Sequence, residues 1–434
     1  MQPGAGRAIA IISVHASPLS ELGGGENGGM NLAIRRISEG LAERDIPTDV
    51  FVRRDSRSAP DEELIVQRSR VIRLRVGPAA KMRKDEVRFL CDEFADRVRD
   101  HAFSEGRLYR AIHGHYWLGG LVAQSLRDSW DVPWIQSFHT LARTKARAGL
   151  PLDAVRARAE MQMVAGADRL VASSVSEAKD LIRLYSASKE RICIAQPGVD
   201  PRLFDRRETS SLRRRLDLEG KRIVLFAGRL EPLKGAETLL DAVAALGADP
   251  AFKDVHVLVA GDNSGDGGSR DGGERGRLEQ RVREMAISGR VHFLGAVGHD
   301  HLPDYYALAD VCVVPSLTES FGLVALEAQA QGTPVVAAAV GGLTEVVDDG
   351  VTGWLVSGRD PLDYADAIAR VLRDPDLREQ MGERARQRAT RFTWTRAVDR
   401  LAAIYERAGG TDEGGLGNSP CGAAEAEVPT LSAS

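Results

Sequence analysis

The sequence predicts an α/β protein built on two parallel sheets, and three observations predict it. Short β-branched apolar runs recur along the chain, helical periodicity separates them, and the alternation restarts near residue 200. Strands that are apolar throughout are covered on both faces, the habit of parallel sheets flanked by helices. A chain of 434 residues also exceeds one ordinary domain, and two domains of about 200 residues each suit it.

Taken in order, "AIAIISV" from Ala8 reads as a strand, "MNLAIRRISEGLAER" as a helix and "TDVFVRR" as a strand. "LYRAIHG" and "VPWIQSF" are strands flanking the helix "WLGGLVAQSLRDSW". "DRLVASS", a helix from Ser176 to Tyr185 and "RICIAQPGVD" close the first half. The second half restarts with "KRIVLFAGRL", "VHVLVAGD", "RVHFLGAV", "DVCVVPS" and "TPVVAAAV", each followed by helical periodicity. Two Rossmann-like domains facing each other across a cleft are expected, one over residues 1–199 and one over 200–392. Residues 393–408 read as a C-terminal helix with Trp394, Val398, Leu401 and Tyr405 on one core-facing side. The polar, Gly-rich segment 262–277 reads as a surface loop, and 409–434 has the composition of a disordered tail.

A net charge of −4 gives no general pull toward nucleic acid or an anionic membrane surface. Cys91, Cys193, Cys312 and Cys421 are scattered without metal-ligand spacing. The N-terminal apolar run is too short for a signal peptide and no run approaches a membrane span. A cytoplasmic protein without membrane insertion is therefore expected.

The stretch that carries chemistry is "ESFGLVALE", residues 319–327, between two apolar strands. In open parallel sheets, ligands sit beyond the carboxyl ends of the strands, where helix N-termini point their amides. Glu319 in such a loop can accept hydrogen bonds from sugar hydroxyls. Phe321, Gly322 and Leu323 can present backbone amides, with Gly322 permitting close approach. Glu327 would lie about two turns along if both glutamates were helical. A capping Glu319 and a solvated Glu327 would fit the same spacing. "GGGENG" satisfies a G-x-G-x-x-G pattern, but it begins well past the strand end at Val14, so a dinucleotide site is not expected. His113 and His115 lack a third metal ligand nearby and read as packing or hydrogen-bonding groups at a strand end.

"ESFGLVALEAQAQGTPVVA", "AGRLEPLKG" (227–235) and "GGLTEVVDDGVTGWLV" together resemble the donor-site signature of group 1 retaining nucleotide-sugar glycosyltransferases, which have the two-domain GT-B fold. The resemblance implies that Arg229 and Lys234 grip the donor diphosphate, that Glu319 bonds the transferred sugar and that Glu327 bonds the ribose. "HASPLSELGGGENGGMN", "HGHYWLGG" and "SFHTLARTK" resemble, more narrowly, the D-inositol-3-phosphate glycosyltransferases of mycothiol synthesis. The same layout occurs, with differences, in sucrose-phosphate-synthase-like enzymes. The narrower resemblance implies that His15, Asn31 and the Gly28–Gly29 loop line the reaction centre. It places His139 at the donor sugar and Lys84, Tyr116, Thr140 and Arg158 at the acceptor. Two departures stand out: "GAVGHDHL" (295–302) lacks that family's arginine and prolines, and Glu26 stands where it has aspartate.

The implied activity is retaining transfer of a hexosyl group, GlcNAc favoured, from a UDP-sugar to a small phosphorylated polyol, foremost 1D-myo-inositol 3-phosphate. His139, Arg229, Lys234 and Glu319 would form the catalytic set. Gly29, Phe321, Gly322, Leu323 and Glu327 would complete the donor site. No cofactor is required, though Mg2+ could accompany the donor diphosphate, and no residue is assigned to a metal. A homodimer is left open. Two alternatives stand beside this: a sucrose-phosphate-synthase-like or mannosyl-transferring enzyme, and a non-catalytic sugar-binding protein on the same fold.

Overall fold

The computed structural model describes residues 8–20, 28–204, 207–263 and 272–409. Glu26, residues 264–271 and the tail beyond residue 409 lie outside the described residues; of the expected 262–277 loop, 273–277 instead open the helix Gly273–Glu284. The chain divides into two compact units. The first comprises residues up to 20, 30–196 and those from 394 onward; the second comprises 197–393, with Gly28 and Gly29.

The first unit holds eight strands: β1 Ala8–Ile12, β2 Thr48–Arg53, β3 Glu62–Val66, β4 Ser69–Leu74, β5 Tyr109–His115, β6 Trp134–Ser137, β7 Arg169–Ala172 and β8 Ile192–Ile194. They form one sheet in the order β3-β4-β2-β1-β5-β6-β7-β8. Every pairing is parallel except β3 with β4. The expectation of all-apolar parallel strands therefore fails at this edge. β3, "EELIV", opens with two glutamates and β4, "SRVIRL", carries two arginines, and β3 is largely exposed, as suits an edge strand.

Alternation along the buried strands divides the core into two layers. Ile9 and Ile11 face one way, with Val50, Val52 and Ala111, and pack with Ile34 and Ile37 of the helix Gly29–Ala42. Ala8, Ala10 and Ile12 face the other, with Phe51 and Ile112, toward Phe94, Val98, Leu118 and Val122. The C-terminal helix Trp394–Gly409 belongs to the first layer: Val398, Leu401, Ile404 and Tyr405 are buried in it.

The second unit holds six strands, all parallel: β9 Arg222–Ala227, β10 Val255–Ala260, β11 Val291–Gly295, β12 Val311–Val314, β13 Val335–Ala338 and β14 Gly353–Val356. Their order is β11-β10-β9-β12-β13-β14. Val224, Phe226, Val257 and Val313 point to one layer of its core, Ile223, Leu225, Leu258 and Cys312 to the other.

In both sheets the chain winds outward in one direction and then in the other. The reversal falls between β1 and β5 in the first and between β9 and β12 in the second. Such points open a crevice beyond the carboxyl ends of the strands. No helix among the described residues is long and apolar enough to cross a membrane.

Candidate functional site

In the second unit the chain leaves β9 at Ala227 and passes Arg229 before a short turn, Pro232–Lys234. Gly235 closes that turn at φ +71°, and a Cβ there would lie 2.1 Å from the carbonyl oxygen of Pro315, so only glycine fits. The turn is thereby seated on the loop that follows β12, where the Leu317 amide donates to the Leu233 carbonyl at 2.8 Å. This contact brings Lys234 to Glu319: Nζ donates to Oε2 at 2.7 Å. Arg229 pairs with Glu231, Nη2 to Oε1 at 3.0 Å. Both pairs are partly exposed.

The 319–322 segment is braced from behind, with the Gly342 amide donating to the Glu319 carbonyl at 3.0 Å and Phe321 buried against Phe392. Gly322, at φ +107°, starts the helix Leu323–Gln331, and a Cβ there would press on Leu343 at 2.7 Å. Glu327 thus sits one turn into this helix rather than two, because the residues before Gly322 are loop. It is buried, and both carboxylate oxygens are engaged. Oε2 accepts from the Tyr306 hydroxyl and Oε1 contacts His299 Nε2, each at 2.9 Å. Burial and the adjacent carboxylate hold the Tyr306 phenol well above its ordinary range, so it remains a donor. Arg229, Lys234, Glu319, Phe321, Gly322, Leu323 and Glu327 are therefore gathered on the loops beyond β9 and β12 and the start of the helix Leu323–Gln331.

The first unit gathers a second set beyond β1, β5 and β6. His15 follows β1 with its ring 4.9 Å from that of Tyr116, which follows β5. Tyr116 takes a left-handed backbone, φ +64°. Lys84 Nζ lies 5.7 Å from the centre of the Tyr116 ring. Asn31, buried in the helix Gly29–Ala42, donates to the Ser17 carbonyl at 2.8 Å; Gly29, which opens that helix, groups with the second unit. Beyond β6, His139 (φ +60°) is the middle residue of a three-residue turn closed by the Thr140 amide on the Phe138 carbonyl at 2.7 Å. His139 Nε2 lies 2.8 Å from His115 Nδ1. His113 is held between the Tyr405 hydroxyl, 2.6 Å from Nδ1, and Ser137 Oγ, 2.9 Å from Nε2. Burial pushes His113 down to about 3 and His139 to about 4, and His115 lies well below its ordinary value for the same reason. All three are neutral near pH 7.

Arg158 does not join this set. It is exposed, and the cation that meets Tyr116 and Thr140 is Arg156, two positions earlier on the helix Ala154–Gly166. Two residues are about 200° of helical rotation, which moves a side chain to the opposite face. Arg156 Nη1 donates to the Tyr116 hydroxyl and Nη2 to Thr140 Oγ1, each at 2.9 Å, and Nε to Glu160 Oε1 at 2.6 Å. Glu160, fully buried, also accepts from the Ala142 amide at 2.9 Å and from the Tyr185 hydroxyl. Sequence reasoning missed Arg156, Glu160, Tyr306 and His299. The Arg-x-x-x-Glu spacing of 156 and 160 was the one available signal.

Among the described residues one cluster has metal-ligand spacing, Glu62, His101 and Glu105. It lies away from these loops, and Arg70 already pairs with both carboxylates.

Comparison with known proteins gives a consistent result. The Glycosyl transferases group 1 profile matches residues 208–388, and the Glycosyl transferase 4-like domain profile matches 28–198. A D-inositol 3-phosphate glycosyltransferase of Geodermatophilus obscurus is 44% identical over 415 residues, 93% of this chain and 90% of its own. Sucrose-phosphate synthase of Thermosynechococcus elongatus is 32% identical, with a TM-score of 0.85 over 92% of this chain and 98% of its own. Anabaena HepE, solved with UDP-glucose, shares the fold at 21% identity, with a TM-score of 0.74 over 92% of this chain and 99% of its own.

Proposed function

The chain belongs to the group 1 glycosyltransferases and is a transferase of the GT-B fold; from that premise we propose that it moves a hexosyl group from a UDP-sugar to 1D-myo-inositol 3-phosphate with retention at the anomeric carbon. GlcNAc is the first choice of sugar. The observation that carries the reading is the placement of Arg229 and of the Lys234–Glu319 pair at the strand-order reversal of the second sheet. Two cations and a hydroxyl-binding carboxylate at one strand-end crevice suit a sugar attached to a diphosphate.

As the anomeric carbon–oxygen bond to the diphosphate breaks, negative charge grows on the leaving phosphate and positive charge on the carbon. Arg229 and Lys234 stabilise the phosphate through preorganised charge. Lys234 turns from Glu319 to the phosphate, freeing Glu319 for the hydroxyls of the sugar. Glu327, braced by Tyr306 and His299, takes the ribose hydroxyls. The acceptor hydroxyl forms the new bond on the same face and its proton passes to the departing phosphate oxygen, so no side-chain base is required. Lys84, Tyr116 and Thr140 hold the acceptor phosphate, with Arg156 as their cation in place of Arg158. The reaction so drawn needs no cofactor, and Mg2+ would serve only to screen the diphosphate.

The names of the curated relatives support inositol phosphate as acceptor. The likeness to sucrose-phosphate synthase favours one second reading, a glucosyl transfer to fructose 6-phosphate. Product mass spectrometry with UDP-GlcNAc and UDP-glucose against both sugar phosphates and their unphosphorylated forms separates the two. Inositol 3-phosphate with UDP-GlcNAc is expected to react fastest, and loss of its phosphate to lower kcat/KM on the order of 10²-fold, since charge-assisted hydrogen bonds are worth about 1.5–3 kcal/mol each. Equal reaction of myo-inositol and its phosphate would overturn the acceptor assignment.

A further inference from the structure

His115 is a buried polar group of the first unit with one nitrogen unmet. It is 1% exposed, its Nδ1 meets His139 Nε2 at 2.8 Å, and its own Nε2 is buried with no hydrogen-bond partner among the described residues. His139 occupies a backbone conformation that non-glycine residues rarely hold, at the centre of a strained three-residue turn. Such conformations persist where surrounding contacts over-determine them. The His115 contact is one restraint, and Arg156 on the neighbouring Thr140 is another.

We propose that His115 is a positioning residue that donates its Nδ1 proton to His139 Nε2, and so fixes His139 as the tautomer protonated on Nδ1. This rests on the reading that His139 works at the transferred sugar. A neutral imidazole carries one N–H and one bare nitrogen, so the contact allows two arrangements. If His139 Nε2 were the donor, the proton of His115 would sit on Nε2, leaving a buried N–H without a partner. If His115 Nδ1 is the donor, a bare acceptor nitrogen is buried instead. Buried N–H groups without partners are the rarer of the two in folded proteins.

The neighbours of His115 support a fixed ring. His113 lies against it, ring centres 4.1 Å apart, and is itself clamped by Tyr405 and Ser137. Burial keeps all three imidazoles neutral near pH 7, as the one-proton arrangement requires.

The test uses the full chain labelled with 15N-histidine, the His139 signals being assigned by their loss in His139→Gln. Long-range 1H–15N spectra of the free protein should show His139 protonated on Nδ1 alone. His115→Asn keeps a short N–H donor and should keep that pattern; His115→Leu should shift His139 toward the Nε2-protonated form. In turnover, His115→Leu should lower kcat on the order of 10–100-fold, the scale for losing a partner that orients a working histidine. The donor KM should change little, and His115→Asn should recover most of the rate. Native His139 protonated on Nε2 would overturn the proposal, as would His115→Leu with unchanged spectrum and kcat. The spectra need no substrate, so a wrong role for His139 shows separately: its tautomer would be as stated while His139→Gln kept full activity.

Discussion

The two units place functional groups at equivalent points of similar sheets, yet they build them from opposite materials. Beyond β9 and β12 the second unit uses ion pairs on partly exposed loops, Arg229 with Glu231 and Lys234 with Glu319. Beyond β1, β5 and β6 the first unit uses neutral imidazoles and an Arg156–Glu160 pair whose side chains are 5% and 0% exposed. A partly exposed pair contributes little to stability and can exchange partners when an anion arrives. A buried, hydrogen-bonded network does not rearrange without cost. On the proposed reading, charge in the second unit is held ready for a leaving group, while shape in the first is fixed for an acceptor.

Breaking the rigid side should have the largest effect. Glu160→Ala leaves Arg156 buried without its carboxylate and is expected to cost about 3–5 kcal/mol of stability, read from denaturant unfolding. A loss below about 1 kcal/mol, the range of exposed pairs, would show that the two units do not differ as described. On the other side, Lys234→Ala should lower kcat by roughly 10²-fold, the scale of one preorganised charge partner, while hardly moving the unfolding midpoint. Near-native kcat would remove Lys234 from the diphosphate site.

Acid should also separate the units: His256 and His292 of the second are lowered while only partly buried, whereas the three strongly depressed histidines lie in the first. Their folded values lie below the ordinary 6.5, so the unfolded chain binds more protons between that value and about 4 for His139 or 3 for His113. Their contribution is complete above about pH 6.5 and declines as pH falls, by up to about 1.4 kcal/mol per pH unit for each group. Thermal unfolding from pH 7 to pH 4.5 should show this decline, and His113→Phe should lessen it. A flat profile would mean that these imidazoles are not held neutral. The smallest effect belongs to Arg158→Ala, expected to change stability by less than about 0.5 kcal/mol and to leave kcat/KM intact. A clear loss of kcat/KM would return Arg158 to the acceptor site.

The same contrast decides what could be read from the sequence. Arg229, Lys234 and Glu319 stand in short contiguous motifs whose geometry is set by local turns, so their grouping was legible. Eleven of the fourteen strands among the described residues were legible for the same reason, being largely apolar runs; β14, the short "GWLV", was not read as a strand. β3 and β4 were not legible either, because the edge strand β3 begins with two glutamates and its neighbour β4 carries two arginines, which break the apolar run. Arg156 was not legible because its identity depends on helical phase. In "VRARAE" two arginines stand two apart, and only packing of the helix Ala154–Gly166 decides which turns inward. The bracing of Glu327 joins residues 21 and 28 positions away across a fold, which no local pattern encodes.

The C-terminal helix has a consequence for how the molecule is made. Leu401, Ile404 and Tyr405 share one apolar layer with Ile9, Ile11 and Ile34, so the unit begun first on the ribosome is completed last. While residues 197–393 emerge and form a unit of their own, the first sheet keeps an uncovered apolar face and His113 lacks the Tyr405 hydroxyl. A nascent chain in that interval is exposed to non-native association and to chaperones. Premature termination before Trp394 would make that transient state permanent, leaving an otherwise finished second unit tethered to an unfinished first.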